Sequence, residues 1–274
     1  MWTTNRIWRI TGTASLLATL MLGFGFVYAV SDVIFPAKSE GMSIGTEDKP
    51  PSIGQAMKGN MDVTALGDSL AKGTGDDSGS GFVRATSELL QEQGIASKLV
   101  NNLGINGLTT SGLLPMLKED GVQYALRQAG IIILSIGAND LFDGADEMME
   151  LPTDEQLLEN LKASENRFEE IVRQIRQINQ DAQLVYVTLY NPFSDLAEVR
   201  EQGDLVVQAW NQFASKTVAS VGEGLAVPTS DLFAMTAGRY LSDDHFHPNR
   251  DGYQAIAERI VQALAIPDDA KGDK

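Results

Sequence analysis

From residue 61 to about residue 266, short apolar runs alternate with longer stretches whose apolar residues recur at helical spacing. The runs at 63–66, 96–103, 131–136, 184–189 and 225–227 read as strands. The run at 131–136 is almost unbroken, as in a strand covered on both faces. Helices are expected over 81–93, where Phe82, Ala85, Leu89 and Leu90 share a face, and over 113–128, where Pro115 and Gly121 blur the limits. The clearest helix spans 155–179, with Leu157, Leu161, Phe168, Ile171, Val172, Ile175 and Ile178 on one stripe. Two more cover 196–221, with Trp210 and Phe213 on the apolar side, and 254–264, where Ile256, Ala257, Ile260 and Leu264 face inward after Tyr253. Strands that alternate with helices predict an α/β fold around a parallel sheet. In such sheets the reacting groups lie beyond the carboxyl ends of the strands.

The ends of the chain break this rhythm. Residues 10–30 carry no charge, follow Arg6 and Arg9, and are long enough to cross a bilayer core of about 30 Å as a helix. The basic flank predicts a cytoplasmic N-terminus and export of the rest. Residues 1–30 therefore read as an uncleaved membrane anchor, or as a signal peptide cut after Val27-Tyr28-Ala29. The expected product is cell-membrane-anchored and faces outside in the first case, and is secreted in the second. Residues 31–60, with Pro36, Pro50 and Pro51 and no apolar period, predict a flexible linker; 267–274 are a polar tail. The folded domain is expected over 61–266.

Composition narrows the chemistry. The net charge of −16 disfavours nucleic-acid binding, which needs Lys and Arg to displace counterions. The absence of Cys removes disulfides, thiolate metal clusters and a thiol nucleophile, and it excludes a lipid-modified Cys as anchor. With only His245 and His247 present, imidazole chemistry has two candidates.

Four expected strand or helix boundaries concentrate reactive residue types. The first strand ends in Gly67-Asp68-Ser69-Leu70, which would expose a hydroxyl at the sheet edge or simply form an Asp-Ser turn or helix cap. The second ends in Asn102-Leu103-Gly104, where a glycine permits close backbone approach to a ligand or a plain turn. The third ends in Gly137-Ala138-Asn139-Asp140, which offers an amide to a developing oxyanion or an Asx turn. The last lies before the final helix, Asp243-Asp244-His245-Phe246-His247-Pro248. Asp244 stands three residues before His247, close enough for one turn to join acid and base; Asp243, His245 and His247 are also a plausible metal-ligand set. His245 itself reads as a solvent-facing or structural histidine.

In this order the four blocks resemble the SGNH family of hydrolases, also called GDSL lipases and esterases: Gly67-Asp68-Ser69-Leu70, Gly104 within Asn102-Leu103-Gly104, Gly137-x-Asn139-Asp140, and Asp244-x-x-His247-Pro248. The Gly-x-Ser-x-Gly elbow of other α/β hydrolases is absent at the nucleophile block. The anchored form is similar to exported acylhydrolases of Gram-positive bacteria. The resemblance implies a three-layer α/β/α sandwich with a five-stranded parallel sheet in flavodoxin-like order. It implies Ser69 as nucleophile, His247 as base and Asp244 as its orienting acid. It further implies an oxyanion hole from the Ser69 N–H, the Gly104 N–H and the Asn139 amide, with no metal and no cofactor. The expected function is hydrolysis of small-molecule, lipid or glycan carboxylic esters. The alternative is a non-catalytic cell-wall or glycan-binding module on the same scaffold. Natural substrate and oligomeric state are not fixed by these residues.

Overall fold

The apolar runs pair as one parallel sheet. A computed structural model describes residues 61–142, 154–234 and 237–264, together with Thr19 and Met21. Apart from those two residues, the proposed anchor at 1–30 lies outside the described residues, as do the linker at 31–60 and the tail at 267–274. Among the described residues, no helix is long and apolar enough to cross a membrane.

The strands are β1 (Val63–Gly67), β2 (Leu99–Gly104), β3 (Ile131–Ser135), β4 (Gln183–Val187) and β5 (Gly224–Val227), in the order β2-β1-β3-β4-β5. Every pairing is parallel. This is the flavodoxin-like order expected above. The order in which the chain adds strands reverses between β1 and β3, so a crevice opens beyond their carboxyl ends.

Side-chain alternation explains why the central strands are mostly apolar on both faces. Val63, Ala65, Ile131, Ile133, Val185 and Val187 point to one face. There they meet α2 (Gly81–Glu92) and α10 (Arg250–Ala263) through Phe82, Leu90, Tyr253, Ile256 and Ile260. Leu66, Ile132, Leu134, Leu184 and Tyr186 point to the other face. That face is covered by α4 (Asp120–Gln128), α6 (Asp154–Ile178) and α7 (Arg200–Ala219), through residues such as Leu126, Phe168, Ile171 and Trp210. A strand with both faces covered has no solvent side to keep polar. The Trp210 indole N–H donates to the Tyr186 hydroxyl at 2.7 Å, and that hydroxyl donates to the Ile136 carbonyl at 3.0 Å. The buried polar tips are thereby satisfied at the end of β3.

The expected single helix at 113–128 is two, α3 (Thr110–Met116) and α4. After Pro115, Lys118 and Glu119 donate to carbonyls three residues back, and Glu119 is extended, with φ −74° and ψ 132°. The first helix tightens and ends there. The expected helix at 196–221 begins at Arg200, because the chain turns through Phe193–Leu196 and Leu196–Val199 bonds first. The short helices α1 (Ser69–Lys72), α5 (Ala138–Leu141), α8 (Ser230–Ala234) and α9 (Ala237–Tyr240) were not anticipated, since one turn shows no periodicity.

Candidate active site

β1 delivers Ser69 to the sheet's carboxyl edge through a crowded turn. Gly67 has φ +144°, and a Cβ there would stand 1.8 Å from the Ser135 carbonyl oxygen. No other residue fits without parting β1 from β3. Asp68 then caps α1: its Oδ1 accepts from the Leu70 N–H at 3.0 Å and from the Ser135 hydroxyl at 3.3 Å. Ser69 is the first residue of that helix, so its own N–H has no intrahelical acceptor.

His247 reaches Ser69 from a closed loop between α9 and α10. A bridge pairs Leu241 with Pro248, and the Ser242 N–H donates to the His247 carbonyl at 2.8 Å. Asn249 fastens the base of the loop by capping α10 through the Gly252 N–H and by donating to the Arg239 and Leu241 carbonyls. His247 Nε2 lies 2.8 Å from Ser69 Oγ, and Nδ1 lies 2.7 Å from Asp244 Oδ2. The other Asp244 oxygen accepts from the Ser242 hydroxyl and the N–H groups of Phe246 and His247. Partial burial pushes the Asp244 carboxyl up. The His247 side chain and these donors outweigh it and bring the carboxyl down to about 2. Asp244 is therefore ionised at neutral pH. The three groups form a continuous hydrogen-bonded chain able to move a proton between a hydroxyl and an imidazole.

His245 is exposed, with φ +54°, in a turn closed by its N–H to the Ser242 carbonyl. Among the described residues, no group of three His, Asp or Glu side chains is placed to hold a metal ion. Asp243, His245 and His247 thus do not converge as a ligand set.

Asn139 lies at the edge of the site on α5. Its amide spends one hydrogen on the Leu108 carbonyl at 2.9 Å and keeps a second. Gly104 departs from the expectation. Its N–H is already given to Asn102 Oδ1 at 3.0 Å, and Asn102 is held by its own amide on the Ala71 carbonyl. The absence of a side chain at Gly104 serves packing instead, since a Cβ there would lie 2.4 Å from the Lys72 nitrogen of α1. The following turn carries the backbone back toward the site. Ile105 donates to the Gly67 carbonyl, Leu108 donates to the Ile105 carbonyl, and Leu108 in turn accepts from Asn139. Asn106 and Gly107 are the central residues of that turn.

An apolar cleft of about 10 Å³ is lined by Leu70, Ala138, Leu189, Tyr190, Pro192 and Phe246. Leu70, Ala138 and Phe246 are the chain neighbours of Ser69, Asn139 and His247. Tyr190 was not anticipated: its hydroxyl donates to the Phe246 carbonyl at 2.7 Å and steadies the histidine loop. The larger groove of about 870 Å³ beside α7 and α8 contains none of the site residues.

Asp68 carries a separate consequence. It is fully buried, its Oδ2 has no hydrogen-bond partner, and burial pushes its carboxyl up to about 7 against the Leu70 and Ser135 donors. A carboxyl that keeps its proton longer in the folded state makes stability fall as pH rises from its ordinary value to about 7. The slope is roughly 1.4 kcal/mol per pH unit for one proton. Asp244 acts at lower pH and with the opposite sign: its stabilisation is lost as pH falls toward about 2. Urea unfolding of wild type and Asp68→Asn between pH 4 and 8 should show the wild type losing ground to the variant up to about pH 7, then a constant difference. A constant difference across the whole range would contradict this.

A parallel sheet in this order, with hydroxyl, imidazole and carboxylate strung along its carboxyl edge, defines a hydrolase of the SGNH type. The chain belongs to the GDSL-like lipase/acylhydrolase family, whose model matches residues 65–255. It is 34% identical over 211 residues to the uncharacterized protein YpmR of Bacillus subtilis, covering 76% of this chain and 82% of that one. It is 28% identical over 209 residues to the spore germination lipase LipC of Bacillus licheniformis, covering 74% and 96%. Among solved structures it resembles the lipase Lip_vut3 from a goat rumen metagenome, with a TM-score of 0.65, 24% identity, and coverage of 76% and 100%. The family supports acyl hydrolysis and a small-molecule ester substrate.

Proposed function

We propose that this protein is a serine esterase of the lipase type that cleaves carboxylic esters through Ser69, His247 and Asp244. The observation that carries the reading is the hydrogen-bonded chain from Asp244 through His247 to Ser69, at 2.7 and 2.8 Å. Ser69 Oγ attacks the ester carbonyl carbon while His247 Nε2 takes its proton, and Asp244 stabilises the imidazolium. The carbonyl π-electrons move to oxygen. Collapse expels the alcohol, which takes the proton from His247, and leaves an acyl group on Ser69. Water then attacks the acyl carbon, gives its proton to His247, and Ser69 leaves with that proton as the acid departs.

The developing oxyanion is met by the Ser69 N–H and the second hydrogen of the Asn139 amide. With the Gly104 N–H engaged, the third donor comes from the Ile105–Leu108 turn, whose Leu108 carbonyl already holds Asn139. Leu70, Ala138 and Phe246, the neighbours of Ser69, Asn139 and His247, give the site an apolar wall for the group attached to the ester carbonyl. The charge-free run at 10–30 behind Arg6 and Arg9 supports an exported enzyme, held at the membrane or released.

Asn139→Ala tests the oxyanion role. It should lower kcat on p-nitrophenyl acetate by about 10²- to 10³-fold with a much smaller change in KM, because the contact strengthens only in the transition state. A raised KM with kcat intact would count against it. The reading as a whole is tested by hydrolysis of the same ester by the full chain.

A further inference from the structure

Asp140, one residue beyond Asn139, is a carboxylate with a side chain only 2% exposed. Four donors surround it. Thr110 gives its N–H at 2.8 Å and its hydroxyl at 2.5 Å, Arg167 its guanidinium at 3.2 Å, and the Ser164 hydroxyl, 3.2 Å away, is shared between Asp140 and the Asn160 carbonyl at 2.6 Å. Arg167 also donates to the Thr110 hydroxyl at 2.8 Å and the Ser164 hydroxyl at 3.0 Å. Burying a charged carboxyl is costly unless donors compensate it, so its use here calls for a geometric reason.

The geometry supplies one. Asn139 sits on α5, a single turn of helix, which has little rigidity of its own. Its amide grips the carbonyl of Leu108, and Asp140 grips the N–H and the hydroxyl of Thr110, two residues further on. Consecutive side chains thus make two rungs from the end of β3, one to the loop that follows β2 and one to the start of α3. Arg167, from α6, locks the second rung from behind. We propose that Asp140 and Arg167 are positioning residues that fix the Asn139 amide and the Ile105–Leu108 turn against each other as one oxyanion-binding unit. The proposal rests on the role given above to Asn139. Displacements of about 1 Å at such a site can cost about 10²-fold in rate.

The test is a double-mutant cycle in the full chain, with p-nitrophenyl acetate as substrate and active sites titrated with a fluorophosphonate. Arg167 is one-third exposed and can be changed without opening the core. Arg167→Met should lower kcat about 10-fold and Asp140→Asn about 100-fold, with KM within about twofold. Arg167→Lys, which keeps one donor for Asp140, should recover most of the loss. In an Asn139→Ala background, Arg167→Met should cost less than about twofold, because the amide it positions is gone. If Arg167→Met does not fold, Thr110→Val removes the hydroxyl rung at nearly constant volume and serves the same cycle. Unchanged kcat in the single variants, or losses that multiply fully with Asn139→Ala, would overturn the clamp while leaving the Asn139 reading intact. Full activity of Asn139→Ala would overturn that reading, and the clamp with it.

Discussion

Ser69→Ala should lower kcat on a small ester by about 10⁴-fold or more, without loss of folding. The Ser69 hydroxyl meets His247 Nε2 at 2.8 Å, and Ser69 starts a helix whose other contacts do not involve that hydroxyl. The Asp68 cap, the Gly67 turn and the packing of α1 against Gly104 all remain. Folding measured by circular dichroism should be unchanged, while KM for residual activity stays within a few-fold. Retained turnover in a correctly folded variant would assign the nucleophile elsewhere.

Asp244→Asn should cost about 10³- to 10⁴-fold in kcat, nearly as much as losing the nucleophile, despite preserving shape. The reason is local. Asp244 Oδ1 accepts from Ser242, Phe246 and His247, so in the variant the amide oxygen takes that place. The NH₂ group then faces His247 Nδ1 in place of Oδ2. An NH₂ there makes Nδ1 an acceptor and moves the ring proton to Nε2, where the imidazole points a proton at Ser69 and cannot take one. The deficit should appear in kcat far more than in KM. A loss below tenfold would mean that the tautomer is fixed by something other than Asp244.

The legibility of these groups in the sequence followed the range of the interactions. Strands were legible because both faces of β1, β3 and β4 are covered, which leaves apolar runs interrupted within β1 only by the buried Thr64. The position of Ser69 and Asn139 just past strand ends followed from the parallel sheet, and the pairing of Asp244 with His247 from a three-residue spacing that one turn can close. Gly104 is ambiguous in the sequence because a glycine at a strand end fits both ligand approach and helix packing. Only the Asn102 side chain, bent back onto the next-but-one N–H, separates the two. Arg167 and Tyr190 left no signal. Their contacts with Asp140 and Phe246 join residues 27 and 56 apart, and no local pattern encodes such a pairing. The break between α3 and α4 was visible as Pro115, but the apolar period continues across it and masks the two-helix reading.

Ester cleavage by this route requires Ser69 to be an activated nucleophile. Treating the full chain with a fluorophosphonate and mapping the adduct by peptide mass spectrometry tests this most directly. A single phosphonyl group on Ser69, absent from His247→Ala, is the predicted result. No adduct under conditions that preserve the fold, or an adduct on another serine that persists in Ser69→Ala, would contradict it.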